Sequence, residues 1–159
     1  VYEVRLVGFE SWGAVAGGGR YDALASDGKV TYPGVGISIG VSRLLGLLMR
    51  QGLLRASRST PSCVLVAVAD EASRPASLAV ASALRARGIP CEVAPRPEKF
   101  GKQIRYAARR GIPYVWFPSG PDGEGDSVKD IRSGEQVPAT AQAWAPLAED
   151  LRPSVLRAD

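Results

Sequence analysis

Three short apolar runs separated by two helical patterns fill the middle of the chain, and this alternation restricts its topology more than any other feature. CVLVAVA (63–69) is a continuous apolar run, the pattern of a strand buried on both faces. SLAVASALRARG follows as a helix that stops at Gly88, with Asp70 placed to cap its start. PCEVAP (90–95) gives a second strand, EKFGKQIRYAARRG (98–111) a second helix ending at Gly111, and PYVWFP (113–118) a third strand. Strands that alternate with helices imply parallel strands joined by right-handed crossovers. A turn-rich acidic stretch, SGPDGEGDS, leads on to short strands around VKDI and EQVPA. The whole is a small α/β domain of about 95 residues.

The first third reads differently. VYEVRLV alternates apolar and polar residues as a strand (1–7), a second strand is expected at 12–16, and a third at 34–39, before a helix from about Ser42. Leu44, Leu47, Leu48 and Leu54 fall near helical spacing. RASRSTP (55–61) is small, polar, basic and closed by proline, so a linker is expected there between residues 1–54 and 62–159. A chain that opens on Val1 in mid-strand reads as a piece of something longer.

Composition removes several classes of chemistry. There is no histidine, which excludes Ser-His and Cys-His catalysis and most zinc sites within these 159 residues. Cys63 and Cys91 stand 28 positions apart with no CxxC pair, and are expected to be buried thiols of a cytoplasmic protein. No stretch reaches 18 consecutive apolar residues, so no membrane helix and no membrane partner are expected. The net charge of +4 is uneven: +3 over residues 1–60, +5 over 61–115 and −4 over 116–159. The middle third is where a polyanion would be met.

Two stretches carry chemistry. In PGVGISIGVSR (33–43), glycines 34, 36 and 40 alternate with branched apolar residues, which marks a close approach of ligand or backbone. Arg43 follows at a strand-to-helix junction, where a guanidinium pairs bidentately with phosphate or simply faces solvent; the residues alone leave both readings open. AGGGRYDAL (16–24) is not a phosphate loop, because Lys-Ser/Thr is missing, and it lacks the dinucleotide GxGxxG spacing. A hairpin loop is the ordinary reading of such a run. An aromatic and two charges directly after bare backbone instead resemble the wall of a small polar pocket.

Together these stretches resemble histidine–tRNA ligase, a class II aminoacyl-tRNA synthetase. GGRYD resembles that family's second histidine signature, and PGVGISIGVSRLLGLL its class II motif 3. VYE resembles the tail of the first histidine signature. FGKQIRYAARRGIPYVWF with SVKDIRSGEQV is similar to the anticodon-binding domain. The implied fold is α/β (α+β): the end of an antiparallel class II catalytic sheet with its motif 3 helix, then an anticodon-binding domain with a mixed, mostly parallel five-stranded sheet.

The resemblance implies roles residue by residue. Tyr21 would line the histidine pocket, with substrate lying against the backbone of Gly18 and Gly19. Arg43 would hold the ATP γ-phosphate, while Gly36 and Gly40 would leave room for the adenylate. Ser42 stands where motif 3 often has Glu, and Glu3 would join the active-site sheet or pair with Arg5 or Arg20. Histidine is then activated by ATP to histidyl-adenylate and transferred to tRNA(His), with Mg2+ accompanying the ATP and no metal site of the protein's own. The intact enzyme would be a cytoplasmic homodimer. Motifs 1 and 2 and the core of the first histidine signature are absent, so these 159 residues alone are expected not to aminoacylate.

On helix 98–110, Phe100, Ile104, Ala107 and Ala108 form an apolar stripe at 100° per residue. Lys99, Lys102, Gln103, Tyr106, Arg109 and Arg110 fall opposite, with Arg105 toward the edge. Cations would engage phosphates, and Tyr106 or Gln103 an unstacked anticodon base; a solvated helix face is the plain alternative. Two other functions compete. A regulatory paralogue of ATP phosphoribosyltransferase would lack residues 61–159 and would not need Tyr21 and Arg43 intact, and a free-standing tRNA-binding module would be a chain of just this length in the cell.

Overall fold

The computed structural model describes residues 1–119 and 125–157, and within it the chain forms two compact units, one built on Val1–Arg55 and the other on Ala56–Leu156. The first holds an antiparallel sheet of β1 (Tyr2–Val4), β2 (Ala16–Tyr21) and β3 (Gly34–Ile39), with β2 central, followed by helix α1 (Val41–Arg50). The sequence places a strand at 12–16 and a loop at the glycine run. In the structure, residues 10–12 form a 3-10 turn and the glycines are themselves the central strand, paired from Ala16↔Ile39 to Tyr21↔Gly34. A strand of glycines is weak alone. Here both edges are occupied, by Tyr2–Val4 on one side and Gly34–Ile39 on the other.

Gly18 shows why a side chain is missing there. A Cβ at that position would collide with the Gly36 carbonyl and lie 2.7 Å from the phenol oxygen of Tyr2, whose hydroxyl donates to Gly36 O at 3.1 Å. The short strands β4 (Leu54–Ala56) and β10 (Val155–Arg157) make a separate two-stranded ribbon.

In the second unit the strand order is β6-β5-β7-β8-β9, with β5 (Val64–Val66), β6 (Cys91–Val93), β7 (Tyr114–Phe117), β8 (Ser127–Asp130) and β9 (Gln136–Pro138). β6, β5 and β7 are parallel, and β8 is antiparallel to both of its neighbours, so four of the five strands run the same way. Helices α2 (Arg74–Ala86) and α3 (Phe100–Arg110) make the two crossovers. Val64 and Val66 pack with Ala81 and Leu84 of α2 on one face, and Leu65 packs with Ala107 of α3 on the other. The central strand is therefore buried on both sides, which is why its sequence runs unbroken.

Asp70 does not cap α2. It closes a turn ahead of the helix, accepting from the Ser73 amide at 2.7 Å while its own amide donates to Ser73 Oγ at 3.1 Å. At the far end of α3, Gly111 takes φ +73° and donates back to the last turn, a left-handed stop. Cys63 and Cys91 are free and buried, and burial pushes the Cys63 thiol up to about 11. Asp150 is a buried carboxylate: it accepts two bonds from Arg132 at 2.7 Å and one from the Tyr114 hydroxyl at 2.8 Å. Burial works to raise its pKa, but these donors hold it below the usual carboxylate range. The expected linker at 55–61 is partly folded in: Thr60 is buried, and Arg58 donates to the carbonyls of Thr60, Pro61, Asp150 and Leu151.

Candidate functional site

In the first unit, strand register sorts the residues onto two faces. Cross-strand partners share a face and alternate residues share a face. Glu3, Gly17 and Ser38 lie together, and Gly19, Gly36, Tyr21 and Gly34 continue along that face. The opposite face carries Tyr2, Val4, Val35, Ile37 and Ile39. The face with Glu3 thus combines bare backbone with polar and aromatic side chains, the composition of a ligand wall. A cleft of about 230 Å³ opens on it, lined by Glu3, Ala14, Gly17, Ser38, Gly40 and Arg43 among others.

Arg43 sits in the first turn of α1, where β3 passes through Gly40 into the helix. Its Nη1 donates to Ala14 O at 2.7 Å, and its other side-chain donors have no protein partner among the described residues. Tyr21 is partly exposed, and its ring covers Gly36, where a Cβ would come within 3.2 Å of it. At Gly40 a Cβ would meet Val15 O at 3.3 Å and Arg43 Cβ at 3.4 Å. The gaps at Gly36 and Gly40, expected to admit an adenylate, are taken in this structure by Tyr21 and by the strand-to-helix turn. Gly18 faces away from Tyr21, under the Tyr2 ring, so only Gly19 of the expected pair lies on the pocket face. A Cβ on Gly19 would meet Val1 Cα at 3.3 Å. Glu3 pairs with Arg5 at 3.1 Å.

In the second unit, the order β6-β5-β7 opens a crevice at the carboxyl ends of β5 and β7, the place where open α/β sheets receive ligands. It encloses about 380 Å³, with buried Ala67 and Ser77 at its base and Asp70, Ser73, Phe100 and Ser119 among its other lining residues. Phe100 is partly exposed and stands edge-on to Phe117, with ring centroids 5.0 Å apart. The helical wheel assigns Phe100 to the packed stripe of α3. The structure puts it at the crevice mouth, because the helix begins at this residue.

Gln103 moves the other way. It is buried, with Oε1 accepting from Val68 N at 3.0 Å and Nε2 donating to Val68 O at 2.7 Å and to Glu98 O. A side-chain amide here extends the ladder of β5 beyond its last strand residue. Gln103 is therefore unavailable to a base, contrary to the expectation from the helical wheel. Tyr106 is half-buried against the same core and lies 5.7 Å from the Arg110 guanidinium. Lys99, Lys102, Arg105 and Arg109 are exposed. Lys102 pairs with Glu98 at 3.2 Å and Arg110 with Glu92 at 3.4 Å, while Lys99, Arg105 and Arg109 have no acidic partner among the described residues.

Sequence reasoning missed Ser38, the Asp70–Ser73 turn and the outward Phe100. Ser38 was findable from the period-2 alternation of β3; the crevice needed the strand order. The turn-rich acidic stretch 119–127 falls partly outside the described residues.

Residues 62–117 match the family "Anticodon binding domain". The chain is 60% identical to the histidine–tRNA ligase of Cutibacterium acnes, over 98% of its own length and 35% of that protein. It is 54% identical to the histidine–tRNA ligase of Micrococcus luteus, over 99% and 35% respectively. The crystal structure of histidyl-tRNA synthetase from Nostoc sp. PCC 7120 superposes with a TM-score of 0.50 at 35% identity, over 86% of this chain and 32% of that one. The chain thus spans about a third of the length of the curated relatives it matches. It belongs to the histidine–tRNA ligase family and corresponds to the C-terminal part of its members.

Proposed function

We propose that the chain is the C-terminal third of a histidine–tRNA ligase, with residues 1–54 closing the amino-acid and ATP site, 55–61 connecting, and 62–159 binding the anticodon arm of tRNA(His). The observation that carries this reading is the agreement between the 60% identity across nearly the whole chain and a sheet register that sets Tyr21, Gly19, Ser38 and Glu3 on one face, with Ser38 and Glu3 lining the cleft that Arg43 also lines.

The chemistry follows from charge placement. The histidine carboxylate attacks the α-phosphorus of ATP, pyrophosphate leaves, and the terminal ribose of the tRNA then takes the histidyl group. Such steps depend on positioning and on stabilising developing negative charge, and need no protein nucleophile. Arg43 supplies a fixed cation for the terminal phosphate, with donors left over beyond its bond to Ala14 O. Tyr21 offers an aromatic edge and a hydroxyl to the imidazole. Mg2+ would accompany the ATP phosphates and offset their charge, and Glu3, the carboxylate that lines this cleft, would be the group to hold it.

In the second unit, Lys99, Arg105 and Arg109 engage backbone phosphates, with Lys102 contributing when its pair with Glu98 opens. An unstacked base enters the crevice beside Phe100, whose exposed ring gives it a stacking surface. The resemblance also carries a homodimer working in the cytoplasm; among the described residues no helix is long and apolar enough to cross a membrane.

Transplanting this chain in place of the C-terminal third of the Cutibacterium acnes ligase tests the reading. The hybrid is expected to charge tRNA(His), and a folded hybrid that fails to do so would contradict it.

A further inference from the structure

Between β1 and β2 the chain makes a contact that the ligase reading does not call for. The 3-10 turn Glu10–Trp12 ends at Gly13, with φ +84°. This sharp turn brings Trp12 against the first turns of α1. The indole Nε1–H donates to the carbonyl oxygen of Arg43 at 3.1 Å. Two residues later, Ala14 O accepts from Nη1 of the same arginine at 2.7 Å. Residues 12–14 therefore hold Arg43 at both ends, its backbone and its guanidinium.

The ring itself lies along one side of α1. A Cβ at Gly46 would be 3.9 Å from Trp12 Cζ2, and the Arg50 guanidinium stands 5.6 Å from the ring centroid. Arg43, Gly46 and Arg50 follow the i, i+3, i+7 spacing of one helix face, so the indole spans two turns. A free arginine side chain samples many rotamers, and fixing it before a ligand arrives lowers the cost of binding.

We propose that Trp12 is a positioning residue for Arg43: it pins the first turn of α1 to segment 12–14, so that the guanidinium stays in the cleft beside Glu3, Gly17 and Ser38, where it receives a terminal phosphate of a nucleoside triphosphate. This rests on the reading of Arg43 as the phosphate-holding arginine. Trp12→Phe keeps an aromatic side chain but removes the N–H donor, along with some of the indole's reach toward Gly46, so its selectivity for ATP is read together with its melting temperature.

The experiment is histidine-dependent ATP–pyrophosphate exchange in the intact ligase, with ATP and histidine varied separately, for wild type, Trp12→Phe, Arg43→Ala and the double variant. Trp12→Phe is expected to raise KM for ATP about three- to tenfold, the size of one net hydrogen bond. KM for histidine and kcat should stay within about twofold. On an Arg43→Ala background the Trp12 change should add nothing further, because its effect passes through that arginine. Equal rises in both KM values, or a lower melting temperature with no selective effect on ATP, would overturn the inference and mark Trp12 as merely structural. An Arg43→Ala enzyme with unaltered ATP dependence, or a wild type without exchange, would instead overturn the reading beneath it.

Discussion

Replacing Gln103 separates two opposite accounts of helix α3. The wheel of the sequence turns Gln103 toward RNA; the structure turns it inward, onto the backbone of Val68. In Gln103→Leu the volume is nearly kept, but Val68 N–H and C=O lose their partners in a fully buried position. Each of these two stranded buried groups costs about 1–3 kcal/mol, and the added apolar surface returns roughly 1 kcal/mol, so the net loss should be about 1–5 kcal/mol. Gln103→Glu keeps the acceptor for Val68 N but sets a carboxylate oxygen against the carbonyls of Val68 and Glu98. Its charged form is disfavoured there, which raises the pKa of the new carboxyl, so this variant should recover stability as the pH falls and the group protonates. Urea unfolding followed by tryptophan fluorescence in a Trp12→Phe background measures both, since the remaining indoles, Trp116 and Trp144, belong to the second unit. A Gln103→Leu protein within about 0.5 kcal/mol of its parent would refute the argument, because that is the behaviour of a surface position. Loss of tRNA affinity at unchanged stability would restore the outward reading.

Asp150 gives a prediction with a defined pH range. Its folded-state pKa lies below the unfolded value of about 3.9, so its contribution is present at neutral pH and fades as the pH falls below about 4. Asp150→Asn should lower stability by about 2 kcal/mol at pH 7, and the gap to wild type should narrow on acidification in a urea-melt series; a constant gap would count against the pairing with Arg132. For RNA binding, Arg105→Ala and Arg109→Ala should each weaken tRNA(His) affinity and reduce the slope of log K against log salt by about 0.7–0.9 if each neutralises one phosphate. Lys102→Glu should weaken binding and flatten the slope as well, and unaltered slopes across all three would remove α3 from the interface.

The alternation of strand and helix over 63–118 was legible because a strand covered on both faces must be apolar throughout, as Val64–Val66 is, and because Gly88 and Gly111 mark helix ends by their left-handed φ. The glycine strand was not legible. Nothing local distinguishes a loop of glycines from a strand whose side-chain space is occupied by a neighbour, and at Gly18 that neighbour, Tyr2, lies 16 residues away. Arg58 reads as linker because its carbonyl partners at Asp150 and Leu151 lie 92 and 93 positions distant. The wheel of α3 failed at Gln103 and Phe100 for related reasons. A buried amide is stable only where unpaired backbone groups await it, and a first-turn residue such as Phe100 reaches only the end of the sheet, meeting Phe117 with part of its ring left exposed. In the candidate site, the resemblance brought out Arg43 and Tyr21, whereas the placing of Ser38 and Glu3 beside them came from strand register.

The hybrid ligase tests the central claim most directly. With this chain as its C-terminal third, the Cutibacterium acnes enzyme should charge tRNA(His) transcripts, and substituting the anticodon should lower kcat/KM by at least about tenfold, the loss expected when one recognised base is removed. Charging that is indifferent to the anticodon, or a folded hybrid that charges nothing, would contradict the account.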